Sequence, residues 1–409
     1  MAAMKRVISF WVVVAVLIVT VMLGGCTIKI DENQISGTKK DYNSNDVISN
    51  GEKLDLSQKS VGDIVEFGSY PQTEVTDENL KIKLNNLINE NSWVSYCYYS
   101  GEIHAGDSSV NFDEPKYTKT QMGNWMKYSD VECDGEKYRA VTFSEYRPLS
   151  TNEKISTAGE ENVSFQKRSG YYVNEVYWFK YEPIKWRVLD PSKGLLLSEL
   201  IIDSQPFNNT MDYFGEEPGE EDYPLKAHWT DSSHEYYLND YAHSDIREWL
   251  NHYFYNTAFS VSQQKKIATT EIDNTNDSSI IQNNVNSDWS FFTDETTNDK
   301  VFLLSANDIL NPEYGFSTEI SYEENDDSED IREEKTRTAQ CTDYSRCQGL
   351  CNYDYYYEDN KIPGFLWRLR SSCSISNQTI NILDYGWPTS EYSPIDTYLG
   401  IRPAITIEK

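Results

Sequence analysis

The chain has 409 residues, enough for one large or two medium domains with a substantial core. Its 66 acidic and 36 basic side chains give a formal net charge of −30, which excludes the basic footprint of a nucleic-acid-binding protein and electrostatic docking on anionic lipid. Thirty Tyr and ten Trp suit a β-rich extracellular fold with a polar surface.

Lys5 and Arg6 precede an apolar run from Val7 to Leu23. The run has the length of a long signal h-region and comes close to the roughly 20 apolar residues of a membrane span. The run's last residue and the next three, Leu23-Gly24-Gly25-Cys26, resemble a bacterial lipobox. That resemblance implies a lipoprotein signal peptide over residues 1–25, diacylglycerol on Cys26, and a protein held by lipid on the extracytoplasmic face of the cell membrane. Residues 26–60 are polar, nearly free of aromatics and without periodicity, and are expected to form a flexible tether. Such a tether reaches about 30 Å. Residues 61–409 are expected to form a single elaborated domain. Beyond Cys26 six cysteines remain: Cys97, Cys133, Cys341, Cys347, Cys351 and Cys373. An even number outside the cytoplasm permits disulfides, whose pairing the spacing leaves open. Cys97 with Cys133, both on expected strands, is the first pair to test. A zinc site at the last four is the rival reading, but no C-x2-C pair occurs, so no metal is assigned.

Val61 to Pro71 opens the domain with a short strand at Ile64–Phe67, punctuated by Gly68 and Pro71. Thr76 or Asp77 caps an expected helix running to about Asn89, with Leu80, Leu84, Leu87 and Ile88 on one face. Trp93 to Tyr99 reads as a strand. Met126–Cys133 and Glu136–Ser144 flank Asp134-Gly135, a hairpin signal. Leu149 to Gly170 is polar and reads as a loop. Tyr171 to Leu189 is strand-like with a break at Pro183, and Leu195-Leu196-Leu197 returns as a buried strand after a turn at Asp190–Gly194. Ser244 caps the clearest helix: Ile246, Trp249, Leu250, Tyr253 and Phe254 share one face, and Asp245 and Glu248 sit in the first turn, where the helix dipole favours acids. Ser262 to Ile267 adds a short helix. Val301–Leu304 reads as a buried strand, Ser305 as the cap of a short helix ending near Pro312, Glu319–Glu334 as an exposed acidic insertion, and Thr342–Leu350 as a short helix. The last 45 residues read as a strand from Leu366 to Arg370, a turn-rich loop with Asp384-Tyr385-Gly386-Trp387-Pro388, and a terminal strand from Gly400 to Ile407. The fold class expected is α+β: mixed, mainly antiparallel sheets with a few amphipathic helices and long loops.

Six phrases in order carry a resemblance: Phe67-Gly68-Ser69-Tyr70-Pro71-Gln72, the run Trp178 to Leu189, Ile246-Arg247-x-Trp249-Leu250-Asn251, Val301-Phe302-Leu303-Leu304-Ser305, Trp367-x-Leu369-Arg370-Ser371, and Gly400-Ile401-Arg402-Pro403-Ala404. Together they resemble a bacterial family built on domain of unknown function 6273, over roughly Val61 to Lys409. That family carries no established activity, so the resemblance implies architecture and not chemistry. A more distant likeness is to the sulfatase-modifying-factor (formylglycine-generating) and C-type-lectin-like fold, whose members also close with an Arg-Ser-like strand, a long loop and a Gly-x-Arg strand. The oxidase members need two cysteines between those strands. Only Cys373 lies there, which counts against the oxidase chemistry.

Arg370 and Arg402 suit ligand carboxylate or phosphate, but arginine serves buried structural ion pairs equally well, and that reading is the favoured one. Tyr385, Trp387 and Trp367 are the aromatic candidates for stacking on a ligand. Tyr392, Tyr398 and the run Tyr353, Tyr355, Tyr356 and Tyr357 have the same chemistry. His228, His234, His243 and His252 lack the spacing of a metal site. The acidic run at Glu323 lacks a calcium-loop pattern. No nucleotide fingerprint, nucleophile elbow or cofactor motif is present. The expectation is a surface-displayed lipoprotein that acts as a non-catalytic binding module for a glycan, peptide or envelope component, with no cofactor. The alternative is an enzyme of the sulfatase-modifying type or a cell-wall hydrolase.

Overall fold

The computed structural model describes residues 54–95, 126–144, 146–147, 165–208, 226–228, 235–237, 239–274, 296–320, 333–350, 364–372, 379–389 and 398–408. Residues 46–409 form one compact unit. The fold is α+β, with mainly antiparallel sheets, few helices and long loops.

An eight-stranded sheet is the spine. Its strands are β1 (Ile64–Glu74), β2 (Val94–Ser95), β3 (Met126–Cys133), β4 (Glu136–Phe143), β5 (Tyr177–Asp190), β6 (Leu195–Ser198), and later in the chain β12 (Val301–Phe302) and β17 (Ala404–Thr406). The 14-residue β5 organises it. β1 lies antiparallel along one edge of β5 from Phe179 to Arg187, while β4 and β6 share the other edge. Pro183 does not interrupt β5 as expected. β1 is irregular opposite it, with a register shift between Glu66 and Ser69 at Gly68 (φ +71°), and Gln72 Nε2 donates to the carbonyls of Glu182 and Pro183. A bulge beside a proline removes the need for its missing N–H. The β3–β4 hairpin turns at Asp134-Gly135, both at positive φ, as that dipeptide dictates.

α1 (Glu78–Asn85) starts at Asp77, whose side chain accepts from Leu80 N. It ends before the expected Asn89, so Leu84 is buried while Leu87 stays exposed. A short α2 (Phe165–Arg168) forms where a loop was expected. β7 (Asp203–Gln205) follows β6, and β8 (Lys226–His228) pairs with β9 (Glu235–Tyr237). The helix α3 is capped by Ser244 as expected, but it runs α-helical over Asp245–Trp249, π-helical over Leu250–Phe254 and α-helical again over Tyr255–Ala258. α4 (Val261–Gln264) carries a capping box from Ser260 and Gln263. β10 (Thr270–Ile272) pairs with β11 (Thr297–Asp299), β12 (Val301–Phe302) joins the edge of the large sheet, and α5 (Asp343–Cys347) starts at Thr342.

The last 45 residues build most of a second, five-stranded sheet in the order β15-β14-β13-β16-β7. β13 (Trp367–Ser372) pairs with β14 (Thr379–Ile382), which pairs with β15 (Pro388–Thr389); the expected loop thus contains two strands. β16 (Leu399–Ile401) lies parallel to β13 at Trp367 and Gly400. The expected single terminal strand is two. Arg402-Pro403 breaks it, and β17 (Ala404–Thr406) crosses into the large sheet between β12 and β6, because proline cannot donate to a ladder.

One continuous apolar core joins the two sheets and α3, including Trp186, Trp367, Trp249, Phe254, Leu304 and Ile405. Each large side chain buried this way stabilises the fold by about 1.5–3 kcal/mol. Leu54 and Leu56 belong to the same core. Both lie within residues 26–60, the stretch expected as a tether. Cys133, Cys341 and Cys347 are free thiols, so the Cys133 disulfide expected with Cys97 is not formed. Cys133 instead packs beside Val75, Leu84 and Trp178. Cys97, Cys351 and Cys373 lie outside the described residues, as do Cys26 and the signal segment.

Candidate functional site

The five ligand-binding candidates from the sequence all face inward or pack at the sheet margin. Trp367 is fully buried, its Nε1 donating to Arg337 O at 3.0 Å. Arg402 is fully buried too. Its Nε donates to Ser198 O at 3.0 Å and its guanidinium lies over the Trp367 ring, 4.7 Å from the centroid. Burial, with Arg187 nearby, depresses its pKa. Arg370 Nη1 donates to Leu303 O (2.8 Å) and to Asp308 Oδ2 (2.7 Å). Trp387 is buried under the Arg337 guanidinium, and Tyr385 is half-buried. Arg337 ties that corner: it donates to the carbonyls of Gly386, Ile309 and Ser317 and pairs with Glu334. The tyrosines at 353, 355, 356, 357 and 392, and His234, lie outside the described residues.

The six phrases read from the sequence interlock. Trp186 Nε1 donates to Phe67 O at 2.7 Å. A Cβ at Gly68 would lie 2.6 Å from the Phe259 ring, which only glycine avoids. Asn251 clamps β12 by donating to Val301 O and accepting from Lys300 N. Arg247 pairs with Asp299 at 2.8 Å, Arg370 holds Leu303 O, and Ser371 Oγ accepts from Ala306 N. These residues fix the fold.

The arrangement with chemical potential lies where β7 leaves the sheet for α3. On β7, Asp203 is fully buried. It accepts from Tyr70 Oη (2.7 Å), Ser204 N and Gln205 Nε2, and burial raises its pKa. By strand register, Asp203 and Gln205 share a face with Arg368 and Asn381, which sit opposite each other on β13 and β14. Arg368 donates to Thr379 Oγ1 and lies over the Phe207 ring. The chain then docks on the start of α3: Phe207 O accepts from Ile246 N and Asn208 Oδ1 from Asp245 N.

The first turn of α3 is buried. Asp245 is 6% exposed and Glu248 5%, and neither carboxyl oxygen of Glu248 has a hydrogen-bond partner. Desolvation first, and the Asp245 charge second, push the Glu248 pKa up to about 8; Arg247 opposes the shift. Arg247 is directed elsewhere, to Asp299 and to Ala242 O. At neutral pH the Glu248 carboxyl therefore holds its proton and is a hydrogen-bond donor. The buried indole N–H of Trp249 and both amide atoms of Asn381 and Gln348 also have no hydrogen-bond partner. Buried polar groups of native proteins are nearly always paired, so the Glu248 carboxyl, with neither oxygen bonded, is the group here left to meet a partner. The π-helical turn at Leu250–Phe254 begins next to Trp249, a feature common beside functional sites. Sequence reasoning placed Glu248 in a dipole-favoured first turn. An exposed and a buried acid look the same at that position, so the sequence carried no signal of its burial.

His243 Nδ1 lies 2.6 Å from Asp240 Oδ2, and no group of three metal-ligating side chains forms among the described residues. A cavity of about 710 Å³ opens elsewhere, between the stretch from Leu54 to Lys59, the β5–β6 turn and Ile407-Glu408, with Asp55, Lys59 and Glu408 in its lining. No helix among the described residues is long and apolar enough to cross a membrane.

No curated protein and no solved structure matches the chain. The family model titled Domain of unknown function (DUF6273) matches residues 192–409, starting inside the β5–β6 turn and including β7, α3, β13 and β14. Those residues are more than half of the chain, and the chain belongs to that family.

Proposed function

We propose that this protein is a surface-displayed lipoprotein whose domain is a non-catalytic binding module for a glycan, peptide or cell-envelope component. The observation that carries the reading is the buried Glu248 carboxyl in the first turn of α3, neither of whose oxygens has a hydrogen-bond partner. Hydroxyl- and amide-rich ligands supply both donors and acceptors to such groups. The lipobox at Cys26 and the net charge of −30 support an extracytoplasmic anchor and argue against nucleic acid as partner. The distant likeness to the C-type-lectin-like fold, drawn from the Arg-Ser and Gly-x-Arg strands, favours the same reading. The test is a screen of peptidoglycan fragments, envelope glycans and peptides against residues 46–409. Retention of at least one class supports the module, and no retention of any class removes it.

One observation favours the alternative, an enzyme. A carboxyl held protonated near neutral pH, as at Glu248, is suited to general acid catalysis. Turnover of a retained fragment, followed by mass spectrometry and abolished by Glu248→Gln, would establish catalysis in place of simple binding.

A further inference from the structure

The Glu248 carboxyl sets a requirement on whatever it meets. A carboxylate buried without a partner costs several kcal/mol, so this group keeps a proton or receives a cation. Among the described residues, the cations around the start of α3 are directed elsewhere. Arg247 holds Asp299 and Ala242 O, and Arg370 holds Asp308 and Leu303 O. His243 is engaged with Asp240. Asp245, one helical turn away, adds negative charge on the same side of α3. The chain as a whole, at −30, draws cations toward it. No three-ligand metal group forms among the described residues.

We propose that the Asp245–Glu248 side of α3 binds the ammonium group of a ligand, a primary amine carried by an amino sugar or by a peptide. The proposal rests on the binding reading above and narrows its ligand class. When the ammonium ion seats, the Glu248 carboxyl releases its proton to solvent and the resulting carboxylate pairs with the R–NH3+ group; no other bond changes.

The test is titration calorimetry of residues 46–409 at pH 7 with four probes: glucosamine, N-acetylglucosamine, Nα-acetyl-lysine amide and Nα,Nε-diacetyl-lysine amide. Each is run in two buffers of different ionisation heat. One free amine is expected to bind at least tenfold more tightly than its acetylated counterpart, glucosamine for a sugar source and the lysine amide for a peptide source. Binding of the lysine amide, whose amine is fully charged at pH 7, is expected to release most of one proton, since a group titrating at about 8 is largely protonated there; glucosamine, whose amine is partly neutral at pH 7, is expected to release less. Glu248→Gln should weaken the amine at least tenfold and abolish the proton release. If neither amine binds, if amine and acetylated forms bind alike, or if no proton is released, the proposal is overturned. Should Glu248→Gln fail to fold, the acetylation contrast and the proton count on the unmodified chain decide. A fragment retained in the envelope screen that lacks an amine would sink this inference and leave the binding module standing.

Discussion

Glu248→Gln isolates the one buried carboxyl among the described residues with no hydrogen bond to either oxygen. In the unfolded chain Glu248 titrates at its ordinary value of 4.5, and in the folded protein burial and Asp245 raise it to about 8. Between those two values the folded state binds a proton that the unfolded state has released, so folding stability falls as pH rises through this window. Each pKa unit is worth 1.36 kcal/mol, so wild type loses on the order of 4 kcal/mol between about pH 5 and 9 through this group alone. The glutamine side chain has no proton to lose and keeps the shape of the one it replaces. The assay is urea unfolding of both proteins across that range, with other titrating groups such as Asp203 cancelling in the difference. The variant should match wild type within about 1–2 kcal/mol at pH 5 and exceed it increasingly toward pH 9. A difference that stays flat from pH 5 to 9 would refute the claim that Glu248 is buried and unpaired.

Residues 192–409 alone should not fold. The family match begins inside a turn, and cutting there strips β6 of its pairing with β5 and removes Trp186 from the core. A cooperative unfolding transition from that fragment would show that β1–β5 are dispensable. Trp249→Ala and Phe254→Ala should each destabilise residues 46–409 by about 3–5 kcal/mol, since both side chains are at most 2% exposed; losses under about 1 kcal/mol in denaturant unfolding would contradict their burial. Cys26→Ala should leave the protein unprocessed and without diacylglycerol, as intact-mass analysis reads directly. Continued lipidation would refute the lipobox reading of Cys26.

The legible part of the fold was local. The Asp134-Gly135 hairpin, the Ser244 cap and the apolar stripe of α3 each follow from a short run of adjacent residues, and the structure contains all three. What was not legible depends on pairing at long range. Pro183 passes through the middle of β5 because Gly68, more than a hundred residues earlier, bulges opposite it. The final strand splits at Arg402-Pro403 because β17 has a place to fill between β12 and β6, a fact of topology with no local signal. Leu54 and Leu56 sit in a polar stretch, yet the core takes both. At the site, the sequence drew attention to arginines and tryptophans that turned out to fasten the fold. Arg402 holds Ser198 and Glu199 carbonyls, and Trp367 holds Arg337 O. Glu248 read only as a first-turn acid because burial is a property of neighbours, and its neighbours come from other parts of the chain.

The most direct measurement of the central claim is the indole N–H resonance of Trp249, assigned with Trp249→Phe, while a fragment retained in the envelope screen is titrated into residues 46–409. Binding at the junction of β7 and α3 predicts that this resonance shifts or gains exchange protection while the indole of Trp186, held by Phe67 O in the core, stays in place. Saturable binding that leaves Trp249 unmoved would contradict the account and place the ligand elsewhere on the protein.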